Sequence, residues 1–170
     1  MSGLYNFSVS PRRYFVSIFK SQTIMEKKKE TPAGYSNVCP YLMVESVEQE
    51  VQFLQAVFGA RVKEELKQEN GFVQHGEVSL GETVIMMGRA RPEWPATPGA
   101  NYVFVHEVDA IFQKALAAGA TPVMEPADRF YGYREGGIKD PQGNTWWLAQ
   151  VLEELSVEEM QARMLNLPKK

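Results

Sequence analysis

His75 and Glu77 are the residues here whose types and spacing suit metal or acid–base chemistry, because positions i and i+2 of a strand point to one sheet face. An imidazole nitrogen and a carboxylate oxygen are both donors for a divalent ion. Two residues make a weak signature, and a strand histidine hydrogen-bonded at a sheet edge fits the same spacing. A second group is Phe130-Tyr131-Gly132-Tyr133-Arg134, whose phenols and guanidinium suit recognition more than bond breaking. Arg134 offers its charge to a ligand carboxylate or its flat surface to an aromatic ring, and a salt bridge to Glu135 or Asp128, or a subunit contact, is the competing use. A third is the turn Asp140-Pro141-Gln142-Gly143, followed at once by Trp146 and Trp147. Cys39 is the single cysteine. No sequence-adjacent group would activate its thiol, so it reads as a small apolar residue. His106 falls at a strand-to-helix junction and reads as a capping or surface residue.

The elements that position these residues come in two similar sets. Residues 38–44 read as a strand with Pro40 at its start or on an edge. Ser46 and Gln49 then form a capping-box pattern, Val47, Val51, Leu54 and Phe58 recur at helical spacing, and Gly59 supplies a left-handed terminator. Strands are expected at 62–66, 72–80 and 83–87, the last two joined by the tight turn Gly81-Glu82. That turn pairs Leu80 with Thr83, Val78 with Ile85 and Glu77 with Met86. A linker, 88–101, carries Pro92, Pro95 and Pro98.

The pattern then starts again. A strand at 102–105 precedes a helical stripe of Val108, Ile111, Phe112 and Ala115, ended by Gly119, and strands are expected at 121–124, around 131–138 and at 145–151. Val44-Glu45-Ser46-Val47 aligns with Val105-His106-Glu107-Val108, and Phe58-Gly59-Ala60 with Ala118-Gly119-Ala120, so an internal repeat is indicated. The fold class that follows is α+β: two βαβββ modules, about 37–90 and 100–153, forming a curved mixed-sheet cup with helices on its outer face. Residues 1–36 read as an extension and 154–170 as a C-terminal helix and tail. Ser156 and Glu159 form a capping box there, ahead of the narrow apolar edge of Met160, Met164 and Leu165, which suits the surface or a partner subunit.

Composition narrows the function classes. The 170 residues carry a net charge of −3 with basic and acidic residues interspersed, which excludes the electrostatic footprint of a nucleic-acid binder. No apolar run is long enough to span a bilayer. A lone cysteine suits a reducing compartment, so a cytoplasmic protein is expected. Residues 1–24 carry only Arg12, Arg13 and Lys20 as charges. Initiation at Met25 is the preferred reading of that stretch, with a targeting segment as the alternative.

Several segments together resemble the vicinal oxygen chelate superfamily of glyoxalases, bleomycin-resistance proteins and extradiol dioxygenases, and within it the PhnB-like, glyoxalase-like branch. They are Phe53-Leu54-Gln55-Ala56-Val57-Phe58-Gly59-Ala60, the run from Gly76 to Met86, Met124-Glu125-Pro126-Ala127-Asp128, Phe130 to Arg134, and Asp140-Pro141 with Gly143-Asn144-Thr145-Trp146. The resemblance covers roughly residues 37–165. Metal-bearing members take ligands from the first and last strands of each unit, and those positions carry over to Cys39, Ala100, Ile85 and Trp147. Alanine, isoleucine and tryptophan offer no ligand, so the resemblance implies that no metal cofactor is held there. By the hairpin pairing, His75 and Glu77 lie opposite Ile85 and point away from that position; a divalent metal on them is the alternative.

Alternation places Tyr41 and Met43 with Cys39, Tyr102 and Phe104 with Ala100, and Thr145 and Ala149 with Trp147. With Tyr131, Tyr133 and Arg134, the residues Tyr41, Met43, Tyr102, Phe104 and Trp147 form the expected ligand-binding set. Core filling competes as a reading for each aromatic. The resemblance therefore implies a metal-independent small-molecule-binding protein with an aromatic or hydrophobic ligand in its cup. A glyoxalase-like metal-dependent lyase or isomerase is the alternative, and a dimeric structural or regulatory module with a filled cup is a third reading. A homodimer is also implied by the resemblance, with its pairing mode open.

Overall fold

A strand set with one apolar face needs a single amphipathic helix to cover it, and each half of this chain supplies one. The computed structural model describes residues 31–168, and the expectations for residues 1–24 and Met25 lie outside them. The first module is β1 (Tyr41–Val44), α1 (Val47–Phe58), β2 (Arg61–Lys67), β3 (Val73–Leu80) and β4 (Thr83–Arg89), ordered β1-β4-β3-β2 in the sheet. The second is β5 (Ala100–Phe104), α2 (Val108–Ala117), β6 (Thr121–Asp128), β7 (Tyr133–Lys139) and β8 (Thr145–Val151), ordered β5-β8-β7-β6. The first and last strands of each module pair in parallel and the rest antiparallel. Hydrogen bonding thus gives two four-stranded mixed sheets. β1 begins after Pro40, not at residue 38, and β6 extends to Asp128 past Pro122 and Pro126, interrupted by register shifts that an edge strand tolerates.

Local sequence explains the helix ends. Ser46 Oγ accepts from the backbone N–H of Gln49, and Gly59 closes α1 at φ 70°. Only half of the expected capping box forms. Gln142, from the second module, accepts the Ser46 N–H at 3.0 Å and donates to Gln49 Oε1 at 2.9 Å. Ser156 and Glu159 make the full reciprocal box at the start of α3 (Val157–Leu165), a helix that buries none of its residues.

α1 and α2 pack against each other, and the core runs through both modules. At the junction Phe58 lies 5.2 Å from Trp146, whose indole N–H donates to Asp140 at 2.7 Å. Strand register makes Gly76 and Gly136 corresponding positions. A Cβ at Gly76 would come within 2.6 Å of Val47, and one at Gly136 within 3.3 Å of Phe112, so in both modules the missing side chain lets the helix lie close on the sheet. No helix of the described residues is long and apolar enough to cross a membrane.

Glu50 on α1 is fully buried, and neither carboxyl oxygen has a hydrogen-bond partner. Burial first, then the charge of Asp140, pushes its carboxyl up to about 9. The native state therefore holds a proton that the unfolded chain releases near the ordinary value of 4.5. The stability this residue contributes is complete below that pH and is lost as pH rises toward about 9. Glu50→Gln, an uncharged isostere of the protonated acid, is expected to leave thermal stability unchanged at pH 4.5 and to raise it at pH 8. Melting curves across that range check the outcome.

Candidate functional site

Strand pairing decides which side chains share the face that carries no helix. In the first module Tyr41 pairs with Met86 and Met86 with Glu77, while Met43 pairs with Gly88 and Gly88 with His75. These residues occupy the open face. Gly76, Val78, Ile85 and Met87 point the other way, toward α1 and the shared core, and Ile85 is only 3% exposed. The expected pairs of Leu80 with Thr83, Val78 with Ile85 and Glu77 with Met86 are all present. The expected orientation is reversed, because His75 and Glu77 take the open face and Ile85 the core. A one-residue offset in carrying positions across exchanges the two faces of a strand, and Met86 is the open-face residue of β4.

The first module's open face is polar. Tyr41 Oη lies 3.5 Å from His75 Nδ1, and His75 Nε2 lies 3.2 Å from Glu77 Oε1. Tyr35, within the segment read as an extension, donates to Glu77 Oε2 at 2.5 Å. Burial alone would raise the Glu77 carboxyl, but hydrogen bonds from Tyr35 and His75, with the charges of His75 and Lys63, hold it below the usual carboxylate range. The same hydrogen bond pushes the Tyr35 phenol up to about 12. Glu64 pairs across from Glu77, and one ligand atom each from Glu64, His75 and Glu77 fall within 4.8 Å of one another.

The second module's open face is aromatic. Tyr102 meets Phe104 at 5.4 Å, Phe104 meets Tyr133 at 5.8 Å and Tyr133 meets Tyr131 at 5.7 Å, all edge to face. Tyr102 and Phe104 stay 50% and 60% exposed. At the centre lies buried Glu135, whose two oxygens accept the hydroxyls of Tyr102 and Tyr131, with Arg129 3.8 Å away. Burial and the bond to Glu135 drive both phenols upward, Tyr131 to about 12. Trp147 pairs with Tyr102 on one side and Gly137 on the other, and a Cβ at Gly137 would come within 2.6 Å of its ring.

Arg134 stands apart from this set. It bonds Asp109 of α2 through two nitrogens and Asp128 through the third, at 2.7 Å, on the helix side. The competing salt bridge to Asp128 is thus formed, joined by one to Asp109, and alternation explains why Tyr133 and Glu135 face outward while Arg134 between them does not. His106 is exposed, and Cys39, half-buried, donates weakly to the Ser36 carbonyl at 3.5 Å. Sequence reasoning missed Glu135 as a central residue, although its spacing of two from Tyr133 carried the signal. Glu64 had none, because a β-bulge between Val62 and Glu64 sets its register.

The open-face residues of the first and last strands include Tyr41, Met86, Tyr102 and Trp147: two phenols, a thioether and an indole, with the Tyr102 hydroxyl committed to Glu135. Those donors do not fit a divalent centre between strands.

Residues 37–148 match the family described as the Glyoxalase/Bleomycin resistance protein/Dioxygenase superfamily. An uncharacterised protein of Mycobacterium bovis, Mb0911c, is 30% identical over 136 residues, covering 74% of this chain and 90% of its own length. The structure of TioX from Micromonospora sp. ML1 superposes with a TM-score of 0.59 at 25% identity, over 69% of this chain and 99% of TioX. A PhnB protein from Bacillus cereus does so at 0.57 and 19% identity, over 68% of this chain and all of its own.

Gly137→Ala is expected to displace the Trp147 ring, costing about 1–3 kcal/mol of stability and changing tryptophan emission. In a Trp147→Phe background the emission change should vanish while Trp94 and Trp146 still report, which steady-state fluorescence checks.

Proposed function

The chain belongs to the Glyoxalase/Bleomycin resistance protein/Dioxygenase superfamily, the vicinal oxygen chelate proteins, and from that premise we propose a metal-independent small-molecule-binding protein that holds an aromatic or hydrophobic ligand. The observation that carries this reading is the continuous aromatic surface of Tyr102, Phe104, Tyr133 and Tyr131, with Trp147 beside it on the same face. Edge-to-face rings expose flat walls against which a planar ligand packs, and buried Glu135 locks two of the phenols in place. Tyr41 and Met43 offer a smaller apolar contribution from the first module. Such a site needs shape and apolar contact, not a metal-bound oxygen.

The protein works in this reading as a cytoplasmic homodimer. One chain leaves Tyr41, Leu66, Tyr102 and Phe104 each half or more exposed on the open sheet faces, apolar area that a second copy would cover. A second copy laid against an open face would convert a wall into an enclosed pocket. Sedimentation at micromolar concentration is expected to give twice the chain mass, and a monomer there would remove the dimer from the proposal.

Titration with anilinonaphthalene sulfonate and a panel of planar bicyclic aromatics tests ligand binding. Saturable quenching of tryptophan emission is expected in the parent chain and should be lost in Trp147→Phe. Phe104→Ala should weaken binding about two- to tenfold, the worth of one aromatic contact. Unchanged affinity in Phe104→Ala with an unchanged response in Trp147→Phe would refute the reading. So would metal-dependent turnover of the thiohemiacetal of methylglyoxal.

A further inference from the structure

We propose that Glu64, His75 and Glu77, on the open face of the first module, form a binding site for one divalent transition-metal ion. The site is separate from the aromatic face and from the strand positions carried over by family resemblance. Its donors are two carboxylates and an imidazole, a nitrogen and oxygen set suited to zinc, cobalt or manganese.

Geometry brings the donors together from two adjacent strands. One atom from each residue lies within 4.8 Å of the others. An ion about 2.0–2.2 Å from each donor requires donor separations of roughly 3–3.5 Å. The 3.2 Å between His75 Nε2 and Glu77 Oε1 already has that spacing. Glu64 is exposed, so its side chain is free to turn the remaining distance.

Orientation supplies a second line of support. Tyr41 engages Nδ1 of His75 while Nε2 faces the carboxylates, the outer-shell arrangement that fixes a ligating imidazole. Tyr35 similarly steadies the outer oxygen of Glu77.

Charge supplies a third. Glu64 and Glu77 stand directly opposite each other in an antiparallel ladder, where like charges repel, and Glu77 is only 5% exposed. The nearby cation, Lys63, places its ammonium over the Tyr35 ring at 3.8 Å and forms no salt bridge to either carboxylate. A metal ion between the carboxylates would add positive charge to a cross-strand pair whose buried member, Glu77, is already held by Tyr35 and His75. Three protein donors leave further coordination positions to water.

Cobalt titration of chelator-stripped, tag-free full-length protein tests the site, read by visible absorption and by metal content after desalting. One equivalent is expected to bind. Glu64→Gln and His75→Gln should each weaken binding at least about tenfold, and His106→Gln, at the only other histidine, should leave it unchanged. Glu64 is exposed, so its substitution keeps the fold and separates lost ligation from lost structure. Absence of stoichiometric cobalt, equal affinity in Glu64→Gln and His75→Gln, or loss caused by His106→Gln would overturn the proposal. Binding of anilinonaphthalene sulfonate in excess chelator is read in parallel, so failure of the metal site and failure of the aromatic site are told apart.

Discussion

The hydrogen bonding of Asp140 holds the two halves of this molecule in one arrangement. Its carboxylate accepts the backbone N–H groups of Gln142 and Asn144 and the indole N–H of Trp146 at 2.7–2.9 Å. The first two shape the turn that presents Gln142 to the start of α1. The third draws Trp146 into the core against Phe58, and alternation then obliges Trp147 to face outward. One buried carboxylate thus positions the Gln142 that bonds the N-cap residue of the other module's helix, fixes Trp146 at the junction and leaves Trp147 on the open face. Glu50, forced to stay protonated nearby, bears part of the electrostatic cost of that burial.

The modules share a plan and differ in chemistry. Corresponding positions carry His75 in one and Glu135 in the other, and Glu77 in one and Gly137 in the other. In the first module an imidazole and two carboxylates gather, with Tyr41 against the imidazole and Tyr35 on Glu77. In the second, a glycine opens the space that the Trp147 ring occupies, and the lone carboxylate is consumed by two tyrosines. Repetition of the scaffold therefore did not repeat a site.

The fold was legible because its signals are local. Gly59 as a left-handed terminator, Ser156 with Glu159 as a cap, and Gly81-Glu82 as a tight turn each act within a few residues, and each is found where the residue types demand it. Both βαβββ units follow from them. The site was legible only in part, because facing depends on an absolute origin that pattern alone does not supply. The pairing of Glu77 with Met86 was readable, yet whether that pair looked toward helix or solvent turned on a single residue of offset at Ile85. Glu64 reaches its place through a bulge, and Arg134 is claimed by Asp109 from a helix 25 positions earlier, a contact that tertiary packing alone creates.

Gly76 and Gly136 are the two places where the chain omits a side chain beneath a crossing helix. With the helix seated that low, the inner side of each sheet has no spare volume, and added atoms there must displace Val47 or Phe112. The outer sides carry no such helix, and their close contacts, Tyr41 over Gly88 and Trp147 over Gly137, are made between residues of the open face itself. Innovation in this scaffold is thereby channelled to one surface of each sheet, where a change of residue alters what is recognised without reopening the question of how the chain folds.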